Sequence, residues 1–61
     1  MQIIQILNDF IKVLYSPDFE NVGLADFMLV KDGKMCYLGQ VVEICDDKFD
    51  NEKNIAKIKR K

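Results

Sequence analysis

The sequence predicts a small all-β domain, a barrel of about five or six strands, and two features of one stretch carry that prediction. Asp26 to Cys45, DFMLVKDGKMCYLGQVVEIC, holds two runs of β-branched, aromatic and aliphatic residues joined by Lys31-Asp32-Gly33-Lys34. Asp-Gly between such runs is a strong signal for a tight hairpin turn. The second run is long for one strand and carries Gly39 at its middle, where a missing side chain permits a bend, a bulge or the close approach of another backbone. A hairpin bent in this way is half of a small barrel.

Taken in order, residues 2 to 16 admit two readings. On a helical wheel Gln2, Gln5, Asn8, Asp9, Lys12 and Ser16 share an arc opposite the isoleucines, leucines, Val13 and Phe10, an amphipathic pattern that Ser16-Pro17 would end. This is the α+β alternative, a helix packed on the hairpin. Against it stand the β-branched residues and the lack of a capping residue before the run. The strand reading splits the segment at Asn8-Asp9 into MQIIQIL and FIKVLY, with Ile11, Val13 and Tyr15 on one face. Local pattern alone does not choose between them.

Ser16 to Ala25 is a connection, opened by the turn signal Ser-Pro-Asp, and its apolar Phe19 and Val22 are expected to plug the open end of a core. In the hairpin neither face of the first arm is cleanly polar, as suits a strand in a barrel. On the second arm Tyr37, Gly39 and Val41 share a face opposite Cys36, Leu38, Gln40, Val42 and Ile44, unless a bulge at Gly39 swaps the faces. Asp46 to Asn54 reads as a long polar loop anchored by Phe49. Its acids lack the glycine and ligand spacing of a calcium-binding hand, so a solvated loop is expected. In Ile55 to Lys61 the three-residue spacing of Ile55 and Ile58 favours a short helix or a bulged strand over a regular one.

A single domain of 61 residues buries only about 60% of the surface its unfolded chain exposes, so marginal stability is expected. Nothing covalent offsets this. Cys36 and Cys45 lie in one predicted strand, too far apart for the roughly 7 Å limit on bridged Cα atoms. Two half-buried thiols in a reducing, cytoplasmic setting are expected. The N-terminal run has neither a basic leader nor a small-residue cleavage site and is broken by polar residues, so neither a signal peptide nor a membrane span is read there.

The sequence contains no histidine, no glycine-rich phosphate loop and no cysteine-rich metal motif, and the adjacent acids Asp46 and Asp47 fall in a polar loop. No catalytic role, cofactor or metal is expected. The formal charge of −1 hides an asymmetry: residues 1 to 45 carry 3 basic and 6 acidic side chains, and residues 46 to 61 carry 6 and 4. Lys53, Lys57, Lys59, Arg60 and Lys61 are therefore the candidate nucleic-acid contacts. The bland reading of such a run is a solvated terminus. Nucleic-acid binding would want exposed aromatics interleaved with the cations, and the run has none.

Val22-Gly23 with Asp26 to Val30, then Asp32-Gly33, and above all Tyr37-Leu38-Gly39-Gln40-Val41-Val42-Glu43-Ile44 resemble the HAS-barrel. This is the small β-barrel at the N-terminus of HerA-type hexameric DNA translocases, related to the N-terminal barrels of the rotary ATP synthases. One departure is that Leu24-Ala25 separate Gly23 from Asp26, where the pattern has glycine directly before the acid. The resemblance implies strands in MQIIQIL and FIKVLY and a closing strand over 55 to 59. It also implies a non-catalytic assembly or docking domain of an ATP-driven DNA-processing enzyme, excised from it or free-standing. Its partner would be a further copy or the parent ATPase domain, met through edge strands and exposed apolar residues such as Phe19, Met35 and Tyr37. The rival is a free-standing SH3-like module that binds nucleic acid through the basic C-terminal segment.

Overall fold

Five strands and no helix form from this sequence: β1 (Gln2–Ile6), β2 (Phe10–Tyr15), β3 (Phe27–Asp32), β4 (Met35–Asp46) and β5 (Asn54–Arg60). They are seen in a computed structural model that describes all residues from Met1 to Lys61. All pairings are antiparallel, in the order β1-β2-β5-β4-β3, and the sheet curls into a half-barrel. The α+β alternative is thereby set aside. The N-terminal isoleucines win as strands because β1 and β2 pair through a tight connection, closed by a 2.8 Å bond from Leu7 N to Phe10 O.

The core lies in the concave side of the curl. It consists of Ile11, Val13 and Tyr15 of β2, Val30 of β3, Tyr37 and Val41 of β4, and Ala56 and Ile58 of β5. Alternation along β2 follows the expected faces, each core residue being separated by a half-buried neighbour. In β5 the buried pair is Ala56 and Ile58, two apart, so the strand is regular there. The Ile55 and Ile58 spacing misled because Ile55 faces outward and the small Ala56 takes the inward position.

Irregularity in this part of the sheet belongs to β4. Val41 pairs with Ile58 and Glu43 with Lys57, which leaves Val42 as an extra residue, a β-bulge. Tyr37, Gly39 and Val41 face inward before it and Ile44 packs on the core after it. The faces of β4 therefore do swap, not through a bulge at Gly39 but three positions later. Gly39 serves the other purpose open to a strand glycine. A Cβ there would fall 2.7 Å from Ile58 Cγ2 and 2.9 Å from the Lys59 carbonyl carbon, and against the Lys59 carbonyl oxygen. The end of β5 thus passes directly over the backbone of β4.

The β3–β4 turn is centred one residue later than Asp-Gly suggests. Asp32 pairs with Met35, and Gly33, at φ +62°, with Lys34 forms the two-residue loop. One positive φ at the first central position is the pattern of a type II′ turn. Freed from the loop, the Asp32 carboxylate reaches across the mouth of the half-barrel and accepts a 2.8 Å bond from Ile3 N–H on the opposite edge strand. Asp32→Ala is expected to lower stability by roughly 1–2 kcal/mol, and Asp32→Asn, which keeps an acceptor, by less. Urea denaturation and faster hydrogen exchange at the Ile3 amide are the measurements.

The β2–β3 connection is held by its own polar groups. Glu20 accepts from Ser16 N at 3.2 Å and pairs with the Met1 ammonium at 2.9 Å. Burial acts to raise the Glu20 carboxyl, but the hydrogen bonds and positive charges of Met1, Ser16 N–H and Lys53 outweigh it and hold it below its usual value. Asp26 accepts from Gly23 N at 2.9 Å, and Ala25 takes φ +71° between them, so the two residues that depart from the barrel pattern form a small closed turn. Val22 packs on the core as expected. Phe19 does not plug it: the residue is 89% exposed, and Phe49, at 97%, anchors nothing. The hydrogen-bonded turns position these loops without them. In the β4–β5 loop Asp47 accepts from Phe49 N and Asp50 from Glu52 N, so the acids act as turn formers. Cys36 and Cys45 are free and exposed, not half-buried, because both side chains fall on the outer face of β4.

Candidate interaction surfaces

Strand pairing disperses the basic C-terminal residues. Lys53 precedes β5 and donates to Ser16 Oγ at 2.8 Å, about 20 Å along the strand from Lys59 at 3.3 Å per residue. Arg60 lies over the Tyr37 ring, 5.5 Å from its centroid, at the inner end of the sheet. Lys57, Lys59 and Lys61 belong together on the outer side. Lys57 sits 4.4 Å above Phe10 and Lys61 5.3 Å above Phe27, while Lys59 is exposed between them. The segment is a strand through Arg60, pinned by Arg60 N to Asp9 O and Lys61 N to Leu38 O, so the bland reading of a loose charged terminus does not describe it.

The register explains the grouping. Phe10 pairs with Lys59, Lys59 with Gln40, and Gln40 with Phe27. Directly opposed residues in antiparallel strands point to the same face, so Phe10-Lys59-Gln40-Phe27 is one row across β2, β5, β4 and β3. At about 4.8 Å per strand its two rings lie roughly 14 Å apart. Phe27 is 62% exposed and Phe10 is half-buried. The aromatics that the basic segment lacks in sequence are thus supplied by neighbouring strands. Phe10 and Phe27 were missed as site residues because they lie 47 and 32 positions before Lys57 and Lys59; only the strand order brings them there.

Charge is segregated by the same geometry. The outer face carries Lys12, Lys31, Lys57 and Lys59 with a single carboxylate, Glu43, while Asp46, Asp47, Asp50 and Glu52 cluster at the β4–β5 loop. The one ion pair in the chain is Met1 with Glu20, so none of the β5 cations is neutralised by a carboxylate. A lysine resting on an exposed ring contributes roughly 0.5–1 kcal/mol, whereas a nucleobase stacked on it contributes about 1–3 kcal/mol.

Of the apolar residues expected at an interface, Met35 is 46% exposed beside the β3–β4 turn and Phe19 stands out on its loop. Tyr37 is corrected. It is 9% exposed and part of the core, with its hydroxyl donating to Asp9 O at 3.0 Å. Its position between two solvent-facing residues of β4 put it on the inward face of the pleat. Leu29 and Leu38 take the exposed role instead, directly opposed on β3 and β4 and 53% and 49% exposed.

No group of three or more histidine, cysteine, aspartate or glutamate side chains converges to hold a metal ion. An open depression at the β1–β2 turn is lined by Ile6, Leu7, Asn8, Asp9 and Phe10, with a single carboxylate. No helix is long and apolar enough to cross a membrane. No family model matches the chain, and neither a curated protein nor a solved structure matches it.

Proposed function

We propose that the chain is a non-catalytic assembly and docking domain, of the kind that the HAS-barrel resemblance assigns to the N-terminus of ATP-driven, HerA-like DNA translocases, and that it works in the cytoplasm. The observation that carries the reading is the balance of apolar surface. Nine residues are buried, while eleven large hydrophobic side chains are exposed, among them Leu29 and Leu38, directly opposed on the outer face of the β3–β4 hairpin, with Met35 at its turn on the other face. Exposed apolar residues that are contiguous across paired strands mark association surfaces. The outer edge of β3 adds backbone groups with no ladder partner, which is a template for strand addition. The Tyr37 to Ile44 segment, where the resemblance is strongest, forms the bulged strand that shapes this hairpin.

On this reading the isolated chain self-associates through the hairpin. Sedimentation at rising protein concentration, at low and high salt, is the test. Concentration-dependent association that is insensitive to salt and is abolished by Leu29→Lys or Leu38→Lys is the expected result. A chain that stays monomeric to millimolar concentration, or an association that salt dissolves, overturns it.

A further inference from the structure

We infer that the outer face of the sheet binds single-stranded nucleic acid along the row Phe10-Lys59-Gln40-Phe27, with bases on the two rings and phosphates on Lys57, Lys59 and Lys61. The inference uses none of the arguments of the assembly reading, although Leu29 and Leu38 lie beside Phe27 and Gln40 on the same outer face. It rests on two independent features of the molecule.

The first is the row itself. Phe10 and Phe27 face the same side of the sheet with Lys59 and Gln40 between them. Single-strand binders combine aromatic platforms, each stacking a base, with cations that track the backbone. The roughly 14 Å between the rings, three strand spacings, suits a short stretch of unpaired strand, at the low end of the roughly 4–16 nucleotides that small β-barrels cover. Lys57 and Lys61 already lie over these rings at 4.4 and 5.3 Å. When a base takes a ring face, each ammonium needs to move only to the ring's side to meet the phosphate of that same nucleotide.

The second is charge complementarity. The chain is formally −1, yet the outer face gathers lysines around the row with one carboxylate, Glu43, which lies opposite Lys57 without forming an ion pair to it. A polyanion is met by cations whose neutralisation costs no existing ion pair, and binding releases the counterions condensed on it. A duplex does not use the rings in the same way: its bases are stacked on each other and closed to them.

The probes are fluorescein-labelled mixed-sequence DNA and RNA single strands of about 12 nucleotides and a DNA hairpin duplex, titrated by anisotropy with the whole chain. Both single strands are expected to bind more tightly than the duplex, the tighter of the two identifying the natural ligand. Affinity is expected to fall with salt at a log–log slope of about −2, from three phosphate contacts. Phe27→Ala is expected to weaken binding roughly tenfold with the slope unchanged, and Lys59→Gln to reduce the slope by about 0.7. Phe27 is largely exposed, and unchanged far-ultraviolet circular dichroism verifies that its variant folds. Phe19→Ala and Lys53→Gln, on other surfaces, are expected to bind as the parent does. No binding to either single strand at low salt overturns the inference. So does equal or tighter duplex binding, or a Phe27→Ala variant no weaker than Phe19→Ala.

Discussion

Gly39→Ala is expected to lower the melting temperature by at least roughly 12 °C, more than any other single glycine substitution in the chain. The added methyl group points inward from β4 and meets Ile58 Cγ2 at 2.7 Å, the Lys59 carbonyl carbon at 2.9 Å and the Lys59 carbonyl oxygen. A side-chain atom can rotate away, but a carbonyl of the adjacent strand cannot, because Gly39 pairs with Arg60 and Gln40 with Lys59 in the same ladder. Relief requires separating β4 from β5 at the join between the two halves of the sheet. Overpacking of this kind costs typically 1–3 kcal/mol and more where backbone must move. For a domain this size about 3 kcal/mol corresponds to a fall of at least roughly 12 °C in melting temperature. Gly33→Ala is the control. It adds a methyl group at φ +62° but meets nothing within 4 Å, so only the left-handed backbone cost of about 1–2 kcal/mol applies. Thermal melts followed by circular dichroism compare them, and a Gly39→Ala variant that melts with or above Gly33→Ala refutes the close approach.

That glycine also shows what was legible in the sequence. Its presence in an overlong arm announced a device, but three devices share the signature, and only the partner strand decides among them. The bulge fell at Val42, a residue with nothing unusual about it, because bulges are set by the register between two strands. For β2, local pattern left helix and strand both open, but within the strand reading it placed Ile11, Val13 and Tyr15 on one face, and that face lines the core. Local pattern failed for Phe19 and Phe49, where apolar character suggested anchoring but hydrogen-bonded turns built the loops. The candidate site was half visible. Lys57, Lys59 and Lys61 were found as charge, whereas Phe10 and Phe27 reach them only through pairing across four strands, which no local window contains.

Ile58→Ala is expected to be the most damaging truncation in the core, at about 3–4 kcal/mol. Ile58 is fully buried in β5, the middle strand of the order, and pairs with Ile11 on one side and Val41 on the other. Those neighbours are fixed in two ladders and cannot collapse into the space, so the lost transfer free energy and the cavity add. Ile58→Val, which removes one methylene, is expected to cost about 1 kcal/mol. Ile55→Ala is the decisive companion, since sequence spacing gave the two isoleucines equal standing. Ile55 lies on the outer face and is only half-buried, so its truncation is expected to cost well under half as much as that of Ile58. Urea denaturation measures all three, with a lowered midpoint at unchanged slope. Equal losses at positions 55 and 58 would mean that β5 is not a regular strand with Ala56 and Ile58 inward. Combining Ile58→Ala with Gly39→Ala separates the two parts of the glycine contact. The shortened side chain removes Cγ2 but leaves the Lys59 carbonyl in place, so the double variant is expected to stay as unstable as the sum of the two single losses, less only the side-chain share.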